Sequence, residues 1–346
     1  MASMFVSEAW GGILVSAGES KYLIDPARKK VQADQVFVSH AHSDHVYIGA
    51  AGTSPYFMTP PTHSLIRKKI PLKATAKTLS LRKKQSHANE NVSFVSAGHI
   101  LGSAQIVIEG EQTICATTDF KLQDSIIQEG AEIVPCDTLV IESTFGMKEF
   151  SFPPREQVYE EMGAWIREVQ QQGGLPVLAG YATGKAQELT KMVNEYTNTI
   201  PFVHESVFEK NQVYESHEAR LGAYEKIDHN LPDAQLLILP PSLCTPHVLH
   251  AIAISAKRNI RAAKATGWQW KNGFERNFPL SDHADYAQLL RYVKEAEPKQ
   301  VYTHHGFEDE LARSITRELG IPAKSLKEAP QQALMAYERV PQFKNK

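Results

Sequence analysis

Cysteine is scarce: 346 residues carry only Cys115, Cys136 and Cys244. They are odd in number and far apart, so they form neither a disulfide framework nor a Cys-x-x-Cys metal pair, and they point to an intracellular protein. No apolar run approaches the ~18 residues that a membrane span needs, which excludes an integral membrane role. The first 23 residues break their apolar stretch with Glu8, Glu19 and Lys21, unlike a secretory signal, and a cytoplasmic location is expected. Neither sign of charge dominates, since 37 Lys and Arg against 39 Asp and Glu leave a net charge of −2. Repeats and low-complexity segments are missing too. What remains, 42% hydrophobic and 22% charged residues, is the make-up of a soluble globular chain. Its length suits about two domains.

The charge is unevenly spread. Arg67 to Lys84 holds eight basic residues and no acid, and Lys257 to Arg276 holds six with only Glu275 against them. Trp268 and Trp270 interleave the second run, a pattern that suits a polyanion whose bases can stack. Two solvated faces are the alternative reading.

Short β-rich runs recur in the first 150 residues, and each ends on a polar residue. Tyr22–Ile24 leads to Asp25, Val36–Val38 to His40, Val92–Val95 to His99 and Leu139–Ile141 to Glu142. Such bounded runs predict buried strands whose ends carry chemistry. From Pro153-Pro154 the texture becomes α/β. A helix with Val158, Met162, Trp165, Ile166 and Val169 on one face closes at Gly173-Gly174. A strand over Leu175–Ala179 and a helix over about Ala186–Tyr196 follow, then a strand over Leu236–Leu239. The last part predicts a helix over Tyr286–Ala296, a strand over Gln300–Tyr302 and a helix over Glu308–Leu319.

The strongest signal is His40-Ala41-His42-Ser43-Asp44-His45. Two histidines at i and i+2 just past a strand can share one metal, while Asp44 and His45 face a second. Imidazole and carboxylate are the ligands that zinc uses. Other strand ends supply further candidates: His99, Asp119 as a bridge between two metals, and Asp25 as the residue that orients a ligand imidazole. Thr183-Gly184-Lys185, between a strand and a helix, offers backbone N–H groups and a helix dipole to a phosphate. Ser242, after Pro240-Pro241, is a candidate of the same kind.

The His-x-His-x-Asp-His run with a later His and a later Asp closely resembles the metallo-β-lactamase fold. Three further motifs resemble its β-CASP branch, the nucleases of RNA processing and DNA repair. They are Ile141-Glu142-Ser143-Thr144-Phe145-Gly146, Gly184-Lys185-Ala186-Gln187-Glu188-Leu189 and Ser281-Asp282-His283-Ala284-Asp285-Tyr286. Gly102-Ser103-Ala104-Gln105 and Thr266-Gly267-Trp268 look most like the ligase-associated DNA exonuclease group, also labelled mRNA 3′-end processing factor-like. The resemblance implies a four-layer αββα sandwich of residues 1–150 and 279–346, an inserted α/β domain of residues 151–278, and a substrate path between them.

The resemblance also implies roles. His40, His42 and His99 would hold one metal, Asp44, His45 and His305 the other, and Asp119 would bridge them. The metals expected are two zinc ions, with manganese as the alternative. His283 would be the general acid, held protonated by Glu142. Two departures stand out: Thr118 occupies the position before Asp119 where the family has Gly, and His304 is an extra histidine beside His305. If the register shifts by one, those two histidines exchange roles. The expected function is a two-metal nuclease acting on single-stranded DNA or RNA, an exonuclease of DNA repair with a DNA ligase or helicase as partners. An RNA 3′-end processing nuclease is the alternative. From other classes, a small-molecule metallo-hydrolase and a non-catalytic nucleic-acid-binding subunit compete with it.

Overall fold

The computed structural model describes residues 4–28, 31–48, 54–71, 73–228, 231–270 and 273–329. His229, which matches no motif, and Lys271 of the second basic run lie outside the described residues. No helix among the described residues is long and apolar enough to cross a membrane.

Two mixed sheets pack face to face. The first runs in chain order through Met4–Ala9, Gly12–Ala17, Ser20–Ile24, Gln35–Phe37, Tyr56–Met58 and Ala76–Thr78. The second has the order Ala323–Ser325, Gln300–Gly306, Thr138–Ser143, Thr113–Ala116, Ala104–Glu109, Glu90–Ser96, Lys84–His87. Alternation along each strand decides which layer a side chain joins. In Thr138–Ser143, Val140 points into the inter-sheet core with Val15, Tyr22, Phe37, Phe94 and Ile106. Its neighbours Leu139 and Ile141 point the other way, onto the helices Tyr286–Ala296 and Glu308–Leu319 through Leu289, Tyr292, Leu311 and Ile315. A strand buried on both faces reads as a continuous apolar run, as this one does. Each such fully buried side chain is worth about 1.5–3 kcal/mol.

The outer face of the first sheet is covered by the short helix Pro60–Ile66 and by Tyr214 and Leu221, which lie in or just past the helix Glu205–Ser216. The result is the αββα sandwich expected from the sequence, with part of one helical layer supplied by residues beyond 200.

A third sheet is wholly parallel, in the order Glu225–Lys226, Phe202–Val203, Leu237–Leu239, Leu175–Ala179, Ile260–Ala265, Arg276–Phe278. One of its faces packs on Arg155–Gln171 and Lys185–Tyr196, and the other on Pro246–Ala256.

Candidate metal centre

The polar residues at the strand ends converge between the sandwich and the third sheet, where His99, Asp119 and His305 line a cleft of about 390 Å³. Asp25 follows Ser20–Ile24, His40 follows Gln35–Phe37, His99 follows Glu90–Ser96, and Asp119 follows Thr113–Ala116. Glu142 and His305 lie at the ends of Thr138–Ser143 and Gln300–Gly306. Thr118 has φ 53°, the left-handed conformation that glycine adopts without strain, and its one hydroxyl proton is shared between the Thr117 and Ala104 carbonyls, 2.7 and 3.1 Å away. The departure at this position therefore keeps a glycine-like backbone under a threonine side chain. Asp25 and His305 also have positive φ, 46° and 63°.

One donor from each of His40, His42, His99 and Asp119 lies within 4.8 Å of the others. The far side of each ring fixes which nitrogen carries the hydrogen. His42 Nε2 donates to the Thr183 carbonyl at 3.1 Å, and His99 Nδ1 to the Asp282 carbonyl at 2.8 Å. Ser39 donates its hydroxyl to Asp25, so that oxygen accepts from His40 Nδ1 at 2.8 Å. In a neutral imidazole the remaining nitrogens then carry lone pairs. His42 Nδ1 and His99 Nε2 therefore face each other 3.0 Å apart as two acceptors, and the buried His40 Nε2 has no hydrogen-bond partner. Such a set is unfavourable unless a cation sits among the lone pairs. Nitrogens bound tetrahedrally at ~2.0–2.1 Å stand roughly 3.3 Å apart, close to the separation seen. Burial pushes all three rings below the usual histidine range, which keeps them neutral. The residues fit a divalent metal.

The second set is more open. His45 donates Nδ1–H to Asp25 at 2.9 Å, and its Nε2 lies 3.4 Å from Asp119 and 3.8 Å from Asp44. The Asp44 side chain is 65% exposed and His305 49% exposed, with His305 Nδ1 3.9 Å from Asp119. Asp119 thus faces both sets. Burial raises its carboxyl, but His45 and His283 outweigh that and hold it well below the carboxylate range. His305, not His304, faces this carboxylate in the cleft. His304 is half-buried, and desolvation of its ring lowers it to about 4.

His283 stands beside the first set, its ring 4.7 Å from that of His99. Its Nδ1–H reaches Glu142 at 2.9 Å, while Glu142 also accepts the Phe120 N–H at 2.8 Å. Burial alone would lower the His283 pKa, but the Glu142 and Asp119 carboxylates raise it to about 9.

The residues expected to hold a phosphate, Thr183, Gly184, Lys185 and Ser242, have the following partners and exposure. The Thr183 carbonyl is occupied by His42, and the Gly184 N–H donates to Gln187 at 2.7 Å. Lys185 is buried, with Glu188 and Asp282 each 2.8 Å from its ammonium. Ser242 is exposed and does not line the cleft. Among the described residues lining the cleft Lys185 is the only Lys or Arg. Arg82 and Lys84 pair with Glu132 and Glu109, and Arg261 and Arg276 with Glu275 and Glu161. Sequence reasoning missed Ser39 and Asp282, each of which stands immediately before a histidine that it did single out.

Residues 276–326 match the family model described as "Zn-dependent metallo-hydrolase RNA specificity domain". A "Probable DNA ligase" of Opitutus terrae is 32% identical over 317 residues, covering 89% of this chain and 30% of that protein. The chain therefore spans under a third of that relative. An "RNase J-like protein" of Methanocaldococcus jannaschii is 24% identical and covers 93% of this chain and 94% of that one. A solved structure from Enterococcus faecalis V583, of unknown function, superposes with a TM-score of 0.63 at 12% identity over 94% of this chain and 97% of that one, a likeness of fold. With its αββα sandwich, its ligand set at the strand ends and these relatives, the chain belongs to the β-CASP branch of the metallo-β-lactamase superfamily.

Proposed function

We propose that the chain is a two-metal nuclease that hydrolyses the phosphodiester bonds of single-stranded DNA or RNA, acting as an exonuclease in DNA repair. The observation that carries it is the convergence of His40, His42, His99 and Asp119 beside the Glu142–His283 pair. His40, His42, His99 and Asp119 would hold one cation, and Asp44, His45 and His305 with Asp119 the other. Zinc is favoured by the imidazole-rich donors and by the description of the matching family model; manganese is the alternative. Bound there, two cations supply Lewis-acid polarisation of the phosphoryl oxygens and lower the pKa of water. His283 keeps its proton through Glu142 and gives it to the departing sugar oxygen. Asp25 and Ser39 hold the rings of His45 and His40, and the Thr183 and Asp282 carbonyls hold those of His42 and His99. Residues 151–278 act as the inserted domain that walls the cleft.

The test is cleavage of matched single-stranded DNA and RNA oligonucleotides, labelled separately at the 5′ and 3′ ends, by zinc- or manganese-loaded protein. DNA shortened one nucleotide at a time, with activity lost in Asp44→Ala and His283→Ala, is the expected result. A second reading, RNA 3′-end processing, draws on the RNA-specificity description of the model that matches residues 276–326; RNA-selective cutting would establish it. No cleavage of either polymer with two metals bound would sink both readings and leave small-molecule hydrolysis.

A further inference from the structure

The cleft carries a row of aromatic rings that the chemistry above does not use. Trp270 is 65% exposed. Its ring stacks on Trp268 with centroids 4.7 Å apart and planes 35° from parallel. Trp268 lines the cleft and lies 4.7 Å from the buried Phe145, which stands 6.1 Å from His283. The rings thus run from open solvent to the proton donor. The placement follows from the third sheet. Ile260–Ala265 and Leu175–Ala179 are parallel neighbours, with Lys264 paired to Ala179, so the segments that follow them emerge together at one edge. Trp268 follows the first strand. Tyr181, 54% exposed and lining the cleft, follows the second. Ligands of parallel sheets bind at that carboxyl edge. Gly267 permits the close approach, because a Cβ there would stand 2.5 Å from the Phe145 ring.

A tryptophan left mostly in water forgoes the burial that its size normally brings, and here it continues an apolar wall into a reaction cleft. The cleft is also poor in free cations: the described lining residues include Asp44, Asp119 and Asp282, and its one lysine is neutralised by Glu188 and Asp282. A nucleic-acid strand entering there meets few groups that pair with its phosphates and several that offer a π-face to its bases. Base–aromatic stacking is indifferent to sequence and requires the base to be unpaired.

We infer that Trp270 and Trp268, with Tyr181 at the same sheet edge, form a stacking platform for unpaired nucleobases that feeds a single strand toward His283. The inference rests on the nuclease reading. It is tested by steady-state kinetics of the metal-loaded full chain on two oligonucleotides of equal length, one with bases and one abasic except at the cleaved terminus. The expected result is a KM about tenfold higher for Trp270→Ala on the base-bearing strand, with kcat changed less than twofold and the Trp270→Phe variant near wild type. The abasic strand should bind weakly in all three. If wild type handles both strands alike and Trp270→Ala changes neither, the platform is overturned while the nuclease reading stands. If wild type cleaves neither strand, the nuclease reading fails and takes the platform with it.

Discussion

Thr118 holds a conformation that β-branched residues rarely accept, φ 53°, immediately before the carboxylate shared by both ligand sets. The left-handed backbone costs roughly 1–2 kcal/mol for a residue with a Cβ, and the one hydroxyl hydrogen bond, shared between two carbonyls and worth about 0.5–1.5 kcal/mol, offsets part of it. Thr118→Gly removes the strain and the bond together and adds ~0.5–1 kcal/mol of chain entropy, so it should unfold within about 1 kcal/mol of wild type. Thr118→Val keeps the strain and loses the bond, and should cost more. Urea denaturation of the metal-loaded variants checks the order; glycine costing more than valine would refute it. On the proposed reaction, in which His283 gives the proton, His283→Ala should lower kcat by about 10²–10⁴-fold. The Glu142 carboxylate raises the His283 pKa, so its proton is kept at higher pH than an ordinary histidine's and is lost only as pH rises through that elevated value. Removing the Glu142 charge removes a cause of that elevation, so in Glu142→Gln the alkaline limb of the rate profile should move toward neutrality. An unmoved limb would show that Glu142 does not hold the proton.

At the scale of elements, the helices Arg155–Gln171 and Lys185–Tyr196 are joined by a buried charged cluster. Glu188 accepts from Arg155 and Tyr159 and from Lys185 at 2.8 Å, and Lys185 reaches on to Asp282. Burial raises the Glu188 carboxyl, but Arg155 and Lys185 outweigh it and hold it well below the usual range. A depressed carboxylate stabilises the fold above its unfolded pKa of about 4.3 and loses that contribution as pH falls. Glu188→Gln, which strands two buried cations, should cost about 3–5 kcal/mol near neutrality. The gap from wild type should narrow below about pH 4; a gap independent of pH would refute the cluster's role. These partners also explain what could be read from the sequence. The helices Tyr286–Ala296 and Glu308–Leu319 are legible because an apolar stripe, Asp285 at one N-terminus and Gly320 at a C-terminus are local signals. The ligand run at residues 40–45 is legible for the same reason. Lys185 is not, because Asp282 lies 97 residues away. Ile260–Ala265 hides in a basic run because Arg261 finds Glu168 93 residues earlier. Pro246–Ala256 hides because its apolar residues lack an amphipathic stripe and leave only Ala256 fully buried.

Across the whole molecule, the sandwich and the segments of the third sheet line one cleft. Chelation leaves the three lone pairs of His40, His42 and His99 facing one another without a cation, so metal removal should lower the melting temperature well beyond the loss of one surface contact. Calorimetry before and after chelation, with zinc added back, measures it. An unchanged melting temperature would argue against a metal among these rings.

The Thr183 carbonyl, which accepts from His42, lies in the segment that docks against the sandwich, and the docked Lys185 in turn braces Asp282, whose carbonyl accepts from His99. Docking and metal capture are therefore linked equilibria, and the factor by which one strengthens the other is the same in both directions. A chain whose inserted segment swings away is a poor chelator, and a chain starved of metal is a loosely closed one. Opening the cleft should therefore weaken its hold on any cation bound there.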